Sequence, residues 1–287
     1  MTDRPSDGRP AEQIDERDTM FARAARRPAT AEHDDYYRRH PELQGVDDRI
    51  RARPKLCRPG GKHFDAEVCR QARAWFDRID DITPDEQRVG RWAQRLQEAP
   101  SPADRRELVK QLTRSLGAPA AGCAPLARQH VYSHRGRHDH SYGEVVPLDH
   151  TGAVVFLVVM DFDEVQRAPR AAVIRETARQ YYRAALIAKS LAAALEAAGY
   201  QARAQYDAHY DAILPPLAVR AGLGEMGRHN ILIAPRHGSR VRLGAVTTDY
   251  PLAFDQPVEL GARAFCEICK KCERTNSKAP TGMTGTS

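Results

Sequence analysis

The stretch "GAVVFLVVMDFDEVQRAPRAAVIRETARQYYRAALIAKSLAAALEAAGYQARAQYD", residues 152–207, decides the fold class. It opens on the continuous apolar run 152–160, which has the length of a buried strand and falls far short of the roughly 20 apolar residues that a membrane span needs. A long helix follows, entered through Pro169 and stopped by Gly199, because proline suits a first helical turn and glycine the position past the last. Within it Ile174, Ala178, Tyr181, Ala185, Ala188, Ala192 and Leu195 recur in alternating steps of four and three, which sets them on one stripe. Downstream, "QARAQYD" reads as a strand, "ILPPLAVRAG" as a short helix, and "NILIAP" and "VRLGAVTTD" as strands. Strand and helix alternate, so residues 151–260 are expected to form an α/β layer structure.

Upstream, residues 1–45 are polar, rich in Arg and Asp and without periodicity, and are expected to be a poorly ordered surface arm. Residues 46–150 read as a helical region. Ala66, Val68, Ala72, Trp75 and Ile79 keep helical spacing, and "SPADRRELVKQL" opens with a serine cap, a proline at the first helical position and acids in the first turn. The region closes on the loop "HVYSHRGRHDHSYGEVV", whose His134, His138 and His140 offer imidazoles to a metal but stand at no fixed helical spacing beside an acid or cysteine. A solvated loop is the simpler reading.

The 287 residues are 41% hydrophobic and 29% charged, values of a soluble globular chain. The formal charge of +6, from 44 Lys and Arg against 38 Asp and Glu, is spread thinly. Without a dense basic block or interleaved aromatics, a nucleic-acid partner is not expected. The opening "MTDRPSDGRPAEQIDERD" has no hydrophobic core of a secretory or twin-arginine signal, so a cytoplasmic protein is expected.

Two motifs carry chemistry. The glycine-rich "AGLGEMGRHN" at 221–230 follows a helix and precedes a strand, the reverse of a dinucleotide fingerprint, which excludes NAD on that pattern. Its glycines either make a turn or let the backbone approach a bulky ligand. Cys266, Cys269 and Cys272 in "FCEICKKC" have the C-x2-C-x2-C spacing that begins a ferredoxin-type [4Fe–4S] motif. The fourth position, 276, holds asparagine, and Ser277 stands where that motif has proline. Zinc is the alternative, if a distant fourth ligand joins. Cys57, Cys69 and Cys123 are scattered, and in a cytosolic chain clustered cysteines mean a metal site more often than disulfides.

Three blocks in order, "YYRAALIAKSLAAALEAAGYQARAQYD", "LPPLAVRAGLGEMGRHNILIAPRHGSRVRLGAVTTDYPL" and "FCEICKKC", resemble the cobalamin-dependent reductive dehalogenases and, more distantly, epoxyqueuosine reductase. "RDTMFARAARRP" and "YYRRHPELQGVDDRIR" resemble the N-terminal part of the dehalogenases. The resemblance implies a nitroreductase-like corrinoid-binding domain, then a ferredoxin-like segment (261–287 here) with [4Fe–4S] clusters. It implies reduction of the carbon–halogen bond of an organohalide, fed by a soluble ferredoxin or reductase.

Carried over by position, the resemblance makes Tyr181 the catalytic tyrosine and Arg240 its cationic partner, with Arg242 an alternative on the same strand face. A neighbouring guanidinium is expected to favour the phenolate and ease proton release. Asp207, Glu225, Met226, Gly227, Arg228, His229 and Asn230 become corrinoid contacts, and Cys266, Cys269 and Cys272 cluster ligands. The tail "TNSKAPTGMTGTS" replaces the dehalogenases' second cysteine motif, so the expectation is a C-terminally truncated chain with an incomplete ligand set and impaired activity. The alternatives are a non-catalytic corrinoid-binding or inert product, and epoxyqueuosine reductase-like chemistry.

Overall fold

The computed structural model describes residues 13–53, 57–147 and 149–276. Residues 1–12 of the expected arm and the tail from Ser277 onward lie outside the described residues. The centre is a four-stranded sheet in the order β1 (Ala120–Pro125), β2 (Gly152–Val159), β6 (Val241–Thr248), β3 (Ala202–Gln205), with every neighbouring pair antiparallel. Since β2 and β3 both run against β6, they are parallel to each other. The strand, the long helix α8 (Ala172–Ala197) and β3 are therefore a split βαβ unit with β6 inserted. The α/β expectation holds. What the sequence did not reveal is the antiparallel pairing, nor β1, whose "AAGCAP" has no strand-like alternation.

Burial on both faces explains the unbroken apolar run of β2. Val154, Phe156 and Val158 enter the core beneath α8, while Ala153, Val155 and Leu157 enter a second core beneath α9 (Leu214–Arg220). Phe156 lies directly across from Gly244 on β6, where an added Cβ would stand 2.5 Å from the Phe156 ring. The bare glycine is what admits the ring. The short α7 (Phe162–Gln166), which the sequence reading did not mark, precedes the stretch read as helix, and α8 starts at Ala172, just after Pro169. It stops before Gly199, whose φ of +94° only glycine adopts at ease.

The helices α4 (Ala66–Asp77) and α5 (Glu86–Glu98) pack on the outside of α8, and α6 (Pro102–Ser115) packs on β1. Ser101 caps α6 by accepting the Asp104 N–H at 3.2 Å, as the sequence predicts. Cys57 and Cys69, scattered in the sequence, are joined in a disulfide. No helix among the described residues is long and apolar enough to cross a membrane.

From residue 13 onward, the expected loose arm is instead folded. It forms α1 (Met20–Ala25), α2 (Ala31–Arg39) and α3 (Pro41–Ala52), with Tyr36 fully buried. The packing is polar and aromatic: Arg26 stacks on Tyr36 and Tyr142, with the guanidinium 4.4 and 4.7 Å from the ring centroids, and Asp47 accepts from Arg23 at 2.7 Å and from the Tyr37 hydroxyl at 2.9 Å. Stacked arginine and tyrosine leave no apolar periodicity to read. Burial acts to raise the Asp47 carboxyl, but the bonds from Arg23 and Tyr37 outweigh it and bring the group below the ordinary Asp value. A depressed carboxyl stabilises the fold above its unfolded pKa and loses that contribution as pH falls through the folded one. Asp47→Ala is expected to cost about 2–3 kcal/mol in urea unfolding at pH 7, with the deficit shrinking toward pH 3.

Candidate active site

Tyr181 sits on α8 at the edge of the core, half-buried, with its ring against Phe76 of α4 at a centroid separation of 6.2 Å. The strand β6 crosses this face of α8, and its Arg242 points at the helix. Arg242 Nη1 donates to the Tyr181 hydroxyl at 3.3 Å, Nη2 donates to Thr177 Oγ1 at 3.0 Å, and the guanidinium lies 5.1 Å from the Tyr181 ring centroid. Arg242 Nε is buried without a hydrogen-bond partner.

Of the two candidate arginines, the structure therefore brings Arg242 to the tyrosine. Arg240 lies one residue ahead of the strand, where alternation no longer fixes direction, and its guanidinium donates to the Met160 carbonyl and stacks on Phe162. The guanidinium favours the phenolate as expected, but burial works against it. Burial pushes the Tyr181 phenol above its ordinary value of 10.0 and the Arg242 charge offsets only part of that, so the proton stays on at neutral pH.

Asp207, just past β3, joins the same polar cluster. Its carboxylate lies 3.8 Å from Arg137, and its charge acts on Tyr181. Burial raises the Asp207 carboxyl, with Arg137 and Arg242 opposing. Arg137 also donates to the Tyr210 hydroxyl at 2.8 Å and stacks on Phe21 of α1. The loop that carries Arg137 is thus packed structure rather than a free, solvated strand of chain. His138 bonds the Ala208 carbonyl at 2.7 Å and stacks on His209 at 5.3 Å, and Glu16 accepts the Gly136 N–H at 2.8 Å. His138, His140, His209 and Tyr210 line a cleft of about 390 Å³ beside Asp207. Thr177 and Arg137 escaped the sequence reading. Thr177 was findable, since it stands one helical turn before Tyr181 on the same face; nothing in the sequence announces that the loop folds back onto Asp207.

The glycine-rich segment makes a turn. β4 (Glu225–Met226) pairs antiparallel with β5 (Leu232–Ile233), and Gly227 donates its N–H to the Ile231 carbonyl at 3.0 Å, leaving Arg228, His229 and Asn230 exposed at the tip. Glu225 accepts the Ala262 N–H at 2.7 Å, which ties the hairpin to the first turn of α10 (Ala262–Cys269). Cys266 and Cys269 lie on α10 and Cys272 on α11 (Lys271–Asn276), beyond a break at Lys270 with φ +46°. All three are free thiols, and among the described residues no three His, Cys, Asp or Glu side chains come together as a metal-holding group, at the histidine loop or here. As placed, the thiols do not fit a [4Fe–4S] cluster.

The comparisons find the two families that the sequence blocks resemble. No family model matches the chain. Tetrachloroethene reductive dehalogenase of Desulfitobacterium hafniense is 30% identical over 58% of this chain and 36% of its own length, and that of Sulfurospirillum multivorans is 32% identical over 45% and 26%. A solved reductive dehalogenase studied for B12-dependent dehalogenation superposes with a TM-score of 0.56 at 30% identity, covering 61% of this chain and 25% of that one. Epoxyqueuosine reductase of Escherichia coli is 42% identical over a shorter span, 23% of this chain and 16% of its own. The chain spans about a third of the length of the curated dehalogenases it matches. Across that shared segment it is a homologue of the reductive dehalogenases, with a shorter likeness to epoxyqueuosine reductase.

Proposed function

We propose that this segment supplies the proton-donating half of a reductive dehalogenase, in which Tyr181 gives a proton to the carbon that loses its halide. The observation that supports the reading is the Arg242 guanidinium 3.3 Å from the Tyr181 hydroxyl, inside a segment 30% identical to tetrachloroethene reductive dehalogenase. The buried, unpartnered Arg242 Nε leaves the site a donor to spare, which suits a corrinoid-based site that must meet an anionic or halide-bearing group. When bound, a corrinoid would supply low-valent cobalt able to reduce a carbon–halogen bond.

The chain's own residues then have distinct tasks. Burial keeps the phenol protonated until a stronger base forms beside it, and Arg242 stabilises the phenolate left behind. Asp207 and the hairpin residues Met226, Gly227, Arg228, His229 and Asn230 are the proposed corrinoid contacts; Glu225 serves the hairpin's tie to α10. The proposed substrate is a small organohalide, a class that includes the 3-bromo-4-hydroxybenzoic acid found with one related dehalogenase. Electrons come from an external soluble donor, and no step is assigned to Cys266, Cys269 or Cys272. A cytoplasmic setting is part of the proposal.

Cobalamin reconstitution followed by an organobromide assay with titanium(III) citrate tests this reading; cobalt uptake without halide release favours a non-catalytic corrinoid binder. Halide release from Arg242→Met is expected to fall about 10²-fold, while Arg240→Met keeps its activity per folded molecule. Equal losses in both variants would return Arg240 to the site. The epoxyqueuosine reductase-like alternative rests on the 42% identical stretch and on Asp207, whose burial-raised carboxyl could hold a proton.

A further inference from the structure

Arg242 is held in an unusual way for a half-buried cation. Its hydrogen-bond partners among the described residues are two hydroxyls, Tyr181 and Thr177, both on α8. They stand four residues apart and so lie one above the other on a single face of the helix. A guanidinium is a rigid planar fork that turns as a unit about the Cδ–Nε bond, and two donors engaged at that spacing fix its orientation. The two bonds are unequal, at 3.0 Å to Thr177 and 3.3 Å to Tyr181. The tighter one goes to the residue with no acid–base chemistry of its own.

We propose that Thr177 is a positioning residue: its hydroxyl locks the Arg242 guanidinium in the orientation that presents Nη1 to the Tyr181 phenol. The proposal rests on the reading of Tyr181 as proton donor for its functional consequence, and on the geometry alone for the locking. A hydroxyl partner suits the task, because a carboxylate at the same place would neutralise the charge that the phenolate needs after the proton leaves. Without Thr177 the fork retains one long bond and the ring contact, neither of which stops it from rotating.

The test uses the full chain. Side-chain 15Nε relaxation of Arg242, assigned through Arg242→Lys, reports guanidinium order directly. Thr177→Val is expected to drop the order parameter from about 0.85 to below about 0.6, and Thr177→Ser to retain it. In cobalamin-reconstituted protein with titanium(III) citrate, Thr177→Val is expected to lower kcat about tenfold or more with KM unchanged. Should valine unfold the chain, Thr177→Ala serves as the hydroxyl-free variant. An Arg242 order parameter unchanged in the hydroxyl-free variant overturns the proposal. If the guanidinium loosens there while Tyr181→Phe keeps wild-type dehalogenation, the locking stands and the assignment of Tyr181 as donor falls.

Discussion

On the proposed reading, Tyr181→Phe is expected to lower organohalide reduction by the corrinoid-loaded protein about 10²- to 10⁴-fold, the range set by losing one positioned acid. Phenylalanine keeps the ring against Phe76 and removes the hydroxyl that Arg242 addresses, so fold and cofactor uptake stay near wild type while the proton source disappears. The loss is expected in kcat, because the proposed role has the phenol act as the new carbon–hydrogen bond forms and contribute little to ground-state binding. Single-turnover halide release with titanium(III) citrate measures it without depending on the natural electron donor. A wild-type rate in this variant would move the acid elsewhere, with Asp207 the next group in the cluster whose burial raises its pKa.

Phe156→Ala is expected to cost about 3–5 kcal/mol, the range for emptying a buried aromatic position. The side chain is fully buried at the centre of β2, facing Gly244 across the ladder and the helix above it. The walls are backbone and small side chains. Gly244 has nothing to swing into the void, and Ala184 lies on the helix that would have to sink to fill it. Since β6 carries Arg242 two residues before Gly244, relaxation of that ladder also disturbs the Tyr181 contact. Urea unfolding at pH 7 gives the stability loss, and a deficit below about 1.5 kcal/mol would show that α8 can settle onto β6.

The sequence made the secondary structure around the site legible because those residues obey simple periods. The run 152–160 is apolar throughout because both of its faces are buried, and the stripe from Ile174 to Leu195 keeps one face of α8 on the core. Tyr181 could be placed on that stripe, and the arginine pair on the strand below. Choosing between Arg240 and Arg242 needed the register, since the strand begins at Val241 and a residue outside it is free to turn away. The N-terminal region defeated sequence reading because its order comes from Arg26, Tyr36, Tyr142, Arg23 and Asp47, residues that a hydropathy pattern counts as surface. The acidity of Tyr181 was legible only in part for a similar reason. One favourable charge was visible in the sequence, whereas the larger cost of desolvation was not.

By itself, the sequence determined β2, α8, β3, α9 and β6 and the likeness to the dehalogenases. Those properties depend on neighbours along the chain, which side-chain period and capping residues report locally. Tertiary structure alone decided that the sheet is antiparallel, that Arg242 reaches the phenol, that Thr177 accepts from the same guanidinium, and that the histidine loop closes on Asp207. Each of these joins residues far apart in sequence, and burial and hydrogen bonding at such contacts depend on distances that folding sets.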